Sequence, residues 1–308
     1  MKKIAALLIT VILVTAQSAP AYGAVSNYAG QLTKEEKQIY NNLYQHFYIN
    51  NANTDYLIEW NTKSESLTSA NIQKQYDDLI RVAYSALIND HPEYYWANTI
   101  KISYLGYDYY NSGVFSYSEL KNNTISMTSG TPHKKSDIKK FNKAIKKAVK
   151  KINKYAGKNP GRAKRLKAIN KWICNNTKYD SRNGNSTAKK YEYLHNAYGV
   201  FVKKKAVCDG YAAAFKVLCD YYKIPCMINL GYAYDNSGNL AAHAWNLVKV
   251  KKHWYIIDST WNDTNNSTKW LMCGSKTTKN THLNSRDRLD ICGIGYFKLP
   301  AISKKNYK

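Results

Sequence analysis

A thiol, an imidazole and a carboxylate follow one another in the C-terminal half of this chain, each inside a motif of its own. Cys208 lies in Val207-Cys208-Asp209-Gly210-Tyr211-Ala212, His243 opens His243-Ala244-Trp245-Asn246, and Asp258 sits in Tyr255-Ile256-Ile257-Asp258-Ser259-Thr260-Trp261. Such a set can make an activated nucleophile: the imidazole takes the thiol proton, and the carboxylate holds the imidazole's tautomer and orientation. Taken singly, each residue has a plainer role. A cysteine can be a small buried apolar residue, a histidine a satisfied structural one, and a strand-end aspartate a turn cap. The set is harder to dismiss than its members.

The surrounding sequence supplies elements that would bring the three together. Tyr211, Ala214, Phe215, Leu218 and Tyr222 recur at helical spacing, which puts Cys208 in the first turn of a helix. Backbone N–H groups and the helix dipole there favour a thiolate and could hold an oxyanion. Lys203, Lys204 and Lys205 just upstream push the same way, and Gly210 would let another segment pass close to the helix start. After Pro225 the pattern becomes a sheet: Met227 to Tyr234, a turn at Asp235-Asn236-Ser237-Gly238, His243 to Val250, a turn at Lys251-Lys252, then Trp254 to Asp258. In an antiparallel meander the start of one strand and the end of the next meet at the same edge, so His243 and Asp258 become neighbours.

Upstream, Thr33-Lys34-Glu35-Glu36 matches a capping box before a helix with Ile39, Tyr40, Leu43 and Phe47 on one face. A second helix is predicted from Asn71 to Asn89, ended by His91-Pro92. Strand texture follows from Tyr94 to Met127, rich in tyrosines that suit a half-buried sheet face, with a turn at Asn111-Ser112-Gly113. A long helix from Ser136 to Tyr155 buries Ile138, Phe141, Ile145, Ala148, Val149 and Ile152. It turns Lys139, Lys140, Lys143, Lys146, Lys147, Lys150, Lys151 and Lys154 outward. Pro160 is predicted at the first position of the next helix, whose inner face is Ala163, Leu166, Ile169, Trp172 and Ile173. A polar loop is expected from Thr177 to about Lys189.

Charge and cysteine usage narrow the function classes. The 308 residues carry a net charge of +25, and a solvated face explains most lysine runs. A helix face with almost no acids, however, repels itself and would be relieved by an anionic surface. No nucleic-acid-binding motif accompanies the charge, so a specific nucleic-acid partner is not expected. Six cysteines leave five once Cys208 is a free nucleophile, and none has the spacing of a zinc site. Neither metal nor cofactor is implied.

The N-terminus reads as a secretory signal over residues 1–24: Lys2 and Lys3, an apolar run from Ile4 to Val14, then small residues. That run is too short to span a bilayer comfortably, so no transmembrane anchor is expected after cleavage, a retained anchor being the alternative. The expected organisation is a helical and Tyr-rich region over 25–132, then a catalytic domain over 133–308 led by the lysine-rich helix. A secreted protein, retained at the cell wall by its charge, is the expected location.

The three motifs resemble the core of the transglutaminase-like superfamily, most closely its secreted bacterial members, over roughly Arg162 to Asp263. Weaker similarity extends to His91-Pro92-Glu93-Tyr94-Tyr95-Trp96, to Trp270-Leu271-Met272 and to His282. The resemblance implies an α+β fold with a papain-like core, in which the helix bearing Cys packs on an antiparallel sheet bearing His and Asp. It implies a Cys208, His243, Asp258 triad and acyl transfer on peptide or side-chain amides, by hydrolysis or transamidation, with a protein or peptide as substrate. No aromatic oxyanion donor of the family's kind is identifiable; His195, Asn196 and Tyr198 are the candidates, and His253 and His282 are possible rivals of His243. The competing class is a non-catalytic cell-envelope-binding protein that uses its basic helix and Tyr-rich sheet on anionic polymers.

Overall fold

The computed structural model describes residues 28–50, 55–58, 79–96, 100–104, 107–108, 125–129, 134–184, 188–234, 238–284 and 297–308. The expected signal segment, the first part of the second helix, the turn at 111–113, the boundary at 130–133, most of the turn at 235–238 and Cys292 lie outside these residues.

The N-terminal elements are α1 (Lys34–Asn50), β1 (Asp55–Ile58), α2 (Arg81–Asp90), β2 (Ile100–Tyr104), β3 (Tyr107–Asp108) and β4 (Ile125–Ser129). The capping box forms as read: Glu36 N–H donates to Thr33 Oγ1 and Thr33 N–H to Glu36 Oε2, at 3.2 and 2.7 Å. The strands make an antiparallel sheet in the order β1-β4-β2-β3. β1 carries no alternating apolar pattern, which is why the sequence did not announce it.

The lysine-rich helix is α3 (Lys135–Ala156), followed by α4 (Arg162–Asn176). Helix α3 buries Phe141, Ile145, Ala148, Val149 and Ile152 and leaves its lysines exposed. Pro160 is not the first residue of α4. Gly157 and Asn159 take left-handed conformations (φ 73° and 40°), so the chain is still reversing direction at Pro160, and α4 starts only after Gly161.

The expected polar loop contains β5 (Lys178–Tyr179) and a 3₁₀ turn over Lys189–His195. β5 pairs in parallel with β6 (Lys205–Ala206), Tyr179 lying opposite Ala206. Then come α5 (Cys208–Tyr221), β7 (Cys226–Tyr234), β8 (Leu240–Val250), β9 (His253–Ile257), α6 (Ser259–Thr264), α7 (Ser275–Thr278) and β10 (His282–Asn284). The second sheet is antiparallel in the order β10-β7-β8-β9, and α5 packs on it. Tyr211, Ala214, Phe215 and Leu218 are fully buried there. Each large apolar side chain so buried contributes about 1.5–3 kcal/mol.

The core is shared along the chain. Ile39, Leu43, Ala83 and Leu87 from α1 and α2 belong to the same buried cluster as Phe215 and Ile257. Tyr28 donates its hydroxyl proton to the Ile228 carbonyl of β7. Tyr95 lies edge-on to Phe141 of α3, their centroids 5.0 Å apart. Among the described residues, no helix is long and apolar enough to cross a membrane.

Candidate active site

Cys208 is the first residue of α5, because Val207 before it is extended (φ −109°, ψ −173°). Val207 offers no side-chain acceptor, and of the first-turn amides that of Gly210 donates to Asp209 Oδ1 at 2.8 Å and that of Tyr211 to the Val207 carbonyl at 3.1 Å. Gly210 is the close-approach position the sequence pointed to: a Cβ there would sit 2.4 Å from the Leu194 carbonyl oxygen. That carbonyl accepts from Val207 N–H at 3.0 Å, tying the 3₁₀ turn to the start of α5. Cys208 is half-buried, and its thiol is free like the other described cysteines.

His243 sits on β8 and Asp258 just past β9, at the shared edge expected of the meander. Asp258 lies one residue beyond its strand and caps α6, its Oδ1 accepting from Trp261 N–H at 3.0 Å. Its Oδ2 is 2.8 Å from His243 Nε2, which leaves Nδ1 as the ring nitrogen for the thiol. Burial alone would lower the pKa of His243, but the charge and hydrogen bond of Asp258, followed by those of Cys208, outweigh it and raise it to about 10. Burial would likewise raise Asp258, yet the two imidazoles beside it hold it down to about 2.

The second imidazole is His282, which the sequence offered only as a rival base. It is a partner of the carboxylate instead. Its Nε2 lies 3.2 Å from Asp258 Oδ2, its Nδ1 2.9 Å from Thr281 Oγ1, and its side chain is fully buried. Three indoles surround the cluster: Trp261 stacks on His243 at 5.2 Å, and Trp245 and Trp270 lie 5.0 and 5.1 Å from His282. The His243, Asp258 and His282 ligand atoms lie within 4.8 Å of one another. A cation could enter only by displacing both imidazole–carboxylate bonds.

β10 carries His282 inward, and Gly231 permits its approach. Gly231 faces His243 across the β7–β8 pair. A Cβ on it would lie 2.2 Å from the Leu283 carbonyl oxygen and 2.8 Å from Trp245. Gly231→Ala is therefore expected to push β10 off β7 and to cost about 1–3 kcal/mol. Chemical denaturation measures that loss, and unchanged stability would refute it.

The oxyanion candidates part company. Asn196 is engaged locally, donating to the Glu192 carbonyl at 3.3 Å and accepting from Tyr198 N–H at 3.0 Å. Tyr198 places its hydroxyl 3.4 Å from Asp137 of α3, its ring 4.8 Å from that of Tyr95. His195 faces the nucleophile helix: its Nδ1 is 2.8 Å from Asp209 Oδ2, and that contact raises its pKa. His253 is exposed at the hairpin end of β9, paired with Val250 and away from Asp258. Tyr179, which the sequence left in a polar loop, belongs to the site. Burial, then the nearby charges of Cys208, Asp209 and Asp258, push its hydroxyl up to about 12.

The family model of the transglutaminase-like superfamily matches residues 144–259. The α+β arrangement around them is its papain-like fold, as the motifs implied. Human kyphoscoliosis peptidase is 31% identical to this chain over 104 residues, and the mouse protein 30%. The match takes in 32% of this chain but only 15% of either relative. Among solved structures, a TGase is 19% identical with a TM-score of 0.34, covering 47% of this chain and 43% of that one. The periplasmic domain of TgpA from Pseudomonas aeruginosa is 14% identical with a TM-score of 0.30, covering 46% and 55%.

Proposed function

We propose that the chain is an exported thiol enzyme that transfers an acyl group from a peptide or side-chain amide through a Cys208 acyl-enzyme. The observation that carries this is the buried Asp258 bonded to His243 Nε2, with Nδ1 left for the thiol at the start of α5. His243, held protonated beside Asp258, keeps the proton taken from Cys208 while Sγ attacks the carbonyl carbon. The N–H groups of Cys208 and Asp209, which open α5, receive the oxyanion. Collapse breaks the C–N bond, and the amine leaves with the proton from His243. Water or a second amine then attacks the thioester while His243 takes its proton, and the thiol leaves as the new acyl product departs. Hydrolysis is the favoured outcome, since the curated relatives are named peptidases.

The second reading, binding to anionic envelope polymers, rests on α3, whose nine exposed lysines face one acid, Asp137, 3.1 Å from Lys140. One variant separates the two. Cys208→Ala is expected to lower amine release from peptide and glutamine-amide substrates by at least about 10³-fold while sparing retention on an anionic polymer column. Turnover that survives Cys208→Ala would end the enzymatic reading.

A further inference from the structure

Alongside the segment that leads into α5 lies a groove that the reaction above does not use. It has a volume of about 570 Å³ and is lined by Lys178 and Tyr179 of β5, Lys203 to Lys205 leading into α5, and Asp263 of α6. Tyr179 connects it to the helix of Cys208, since it lines the groove while its ring lies 6.3 Å from that of Tyr211. The parallel β5–β6 pair fixes that proximity: Tyr179 lies opposite Ala206, two residues before the nucleophile.

The lining is cationic by construction. Lys178, Lys203, Lys204 and Lys205 are all exposed. Two carboxylates oppose them, and both are engaged: Asp263 accepts from Tyr211 Oη at 2.6 Å, and Asp180 holds Lys205 at 3.5 Å. Lys204 stands in a left-handed conformation (φ 64°), a strained one for a side chain with a Cβ. Its ammonium is anchored by Phe201 O and Asn176 Oδ1, at 2.8 and 2.7 Å. Burial, then the charges of Lys151 and Lys147 on α3, lower its pKa, so the groove and the lysine face of α3 form one electropositive surface.

We propose that this groove binds the acidic part of a peptide substrate, with Lys178, Lys203 and Lys204 receiving carboxylates next to the amide presented to Cys208. The inference rests on the Cys208 acyl-transfer reading and names its substrate class: peptides bearing glutamate or aspartate beside the reacting amide. Cations outnumber acids in the lining, and the ligand must be continuous with a peptide that reaches the thiol. A phosphate polymer would satisfy the charge but offers no amide to attack.

Two measurements test the proposal. First, a fluorescent glutamate-rich peptide is titrated against the Cys208→Ala protein at low salt. It should bind at least about tenfold more tightly than its lysine counterpart, with the difference shrinking as salt rises. Lys178→Glu/Lys203→Glu should remove the preference. Lys139→Gln/Lys143→Gln/Lys146→Gln on α3 should leave most of it. Second, the wild-type thiol is labelled with chloroacetamide and with chloroacetylated forms of both peptides. The acidic peptide should label fastest, and groove reversal should slow it about tenfold more than it slows chloroacetamide. Equal binding of acidic and basic peptides overturns the groove, and so does a preference that follows the α3 substitutions instead. If the acidic peptide binds but chloroacetamide does not label Cys208, the groove stands and the acyl-transfer reading falls.

Discussion

Asp258→Asn is expected to lower the turnover of any amide substrate by roughly 10⁴-fold, the scale known for the same change in serine-protease triads. The reason is the way both of its carboxylate oxygens are used. Oδ1 accepts from Trp261 N–H, and Oδ2 faces both His243 Nε2 and His282 Nε2. An asparagine that keeps its oxygen toward Trp261 turns an NH₂ toward His243. That forces a neutral ring to carry its proton on Nδ1, the nitrogen that must accept from the thiol. Flipped the other way, the amide sets its NH₂ against the Trp261 N–H. The sign of the stability effect follows from the pKa shifts. His243 is raised to about 10, so its contribution is complete below about pH 6.5 and lost as pH climbs through 10. Asp258 is lowered to about 2, so its contribution is complete above about pH 4 and lost as pH falls through 2. The stability gap between wild type and Asp258→Asn should therefore be widest between about pH 4 and 6.5 and should narrow on both sides. A variant with wild-type turnover, or a gap indifferent to pH, would sink this account of the triad.

Lys216→Met is expected to cost about 3–5 kcal/mol, the largest stability loss anticipated for a residue outside the site. Lys216 is fully buried on α5, 2.6 and 2.7 Å from the two carboxylate oxygens of Asp220 and 3.2 Å from the Asp90 carbonyl that closes α2. Burial pulls its pKa down, but the charge of Asp220 more than offsets that and holds the ammonium charged. Removing the cation strands a buried carboxylate, whereas Lys216→Met with Asp220→Leu removes both charges and should recover most of the loss. Urea denaturation of the single and double variants decides the matter. A single variant as stable as wild type would show that the pair is not held as the structure has it.

The parts of the site legible in the sequence were those with local periodicity. The helical spacing from Tyr211 to Leu218 put Cys208 in a first turn, and the meander after Pro225 put His243 and Asp258 at one edge. Gly210 could be read as a close-approach position because only a missing Cβ lets the Leu194 carbonyl come so near. What escaped depended on distant pairing. β10 is three residues long, too short for a pattern, and His282 acquires its role only when β10 joins β7. Tyr179 sits in a two-residue strand whose partner lies about thirty positions on, and no local signal marks such a contact. Pro160 misled because a proline fits the first turn of a helix as well as the end of a reversal, and left-handed Asn159 decided for the latter.

The long-range bonds at the N-terminal edge have a consequence for how the chain is made. Tyr28 meets Ile228 across 200 residues, and the Gln31 amide exchanges hydrogen bonds with the Lys298 backbone across 267. At translation rates of about 5–20 residues per second, Tyr28 waits roughly 10 to 40 seconds for Ile228 of β7 to be synthesised. During that interval α1 can already pack on α2, its main neighbour, but the bonds from Tyr28 and Gln31 cannot form, so the N-terminal edge closes only after Cys208, His243 and Asp258 have all been made.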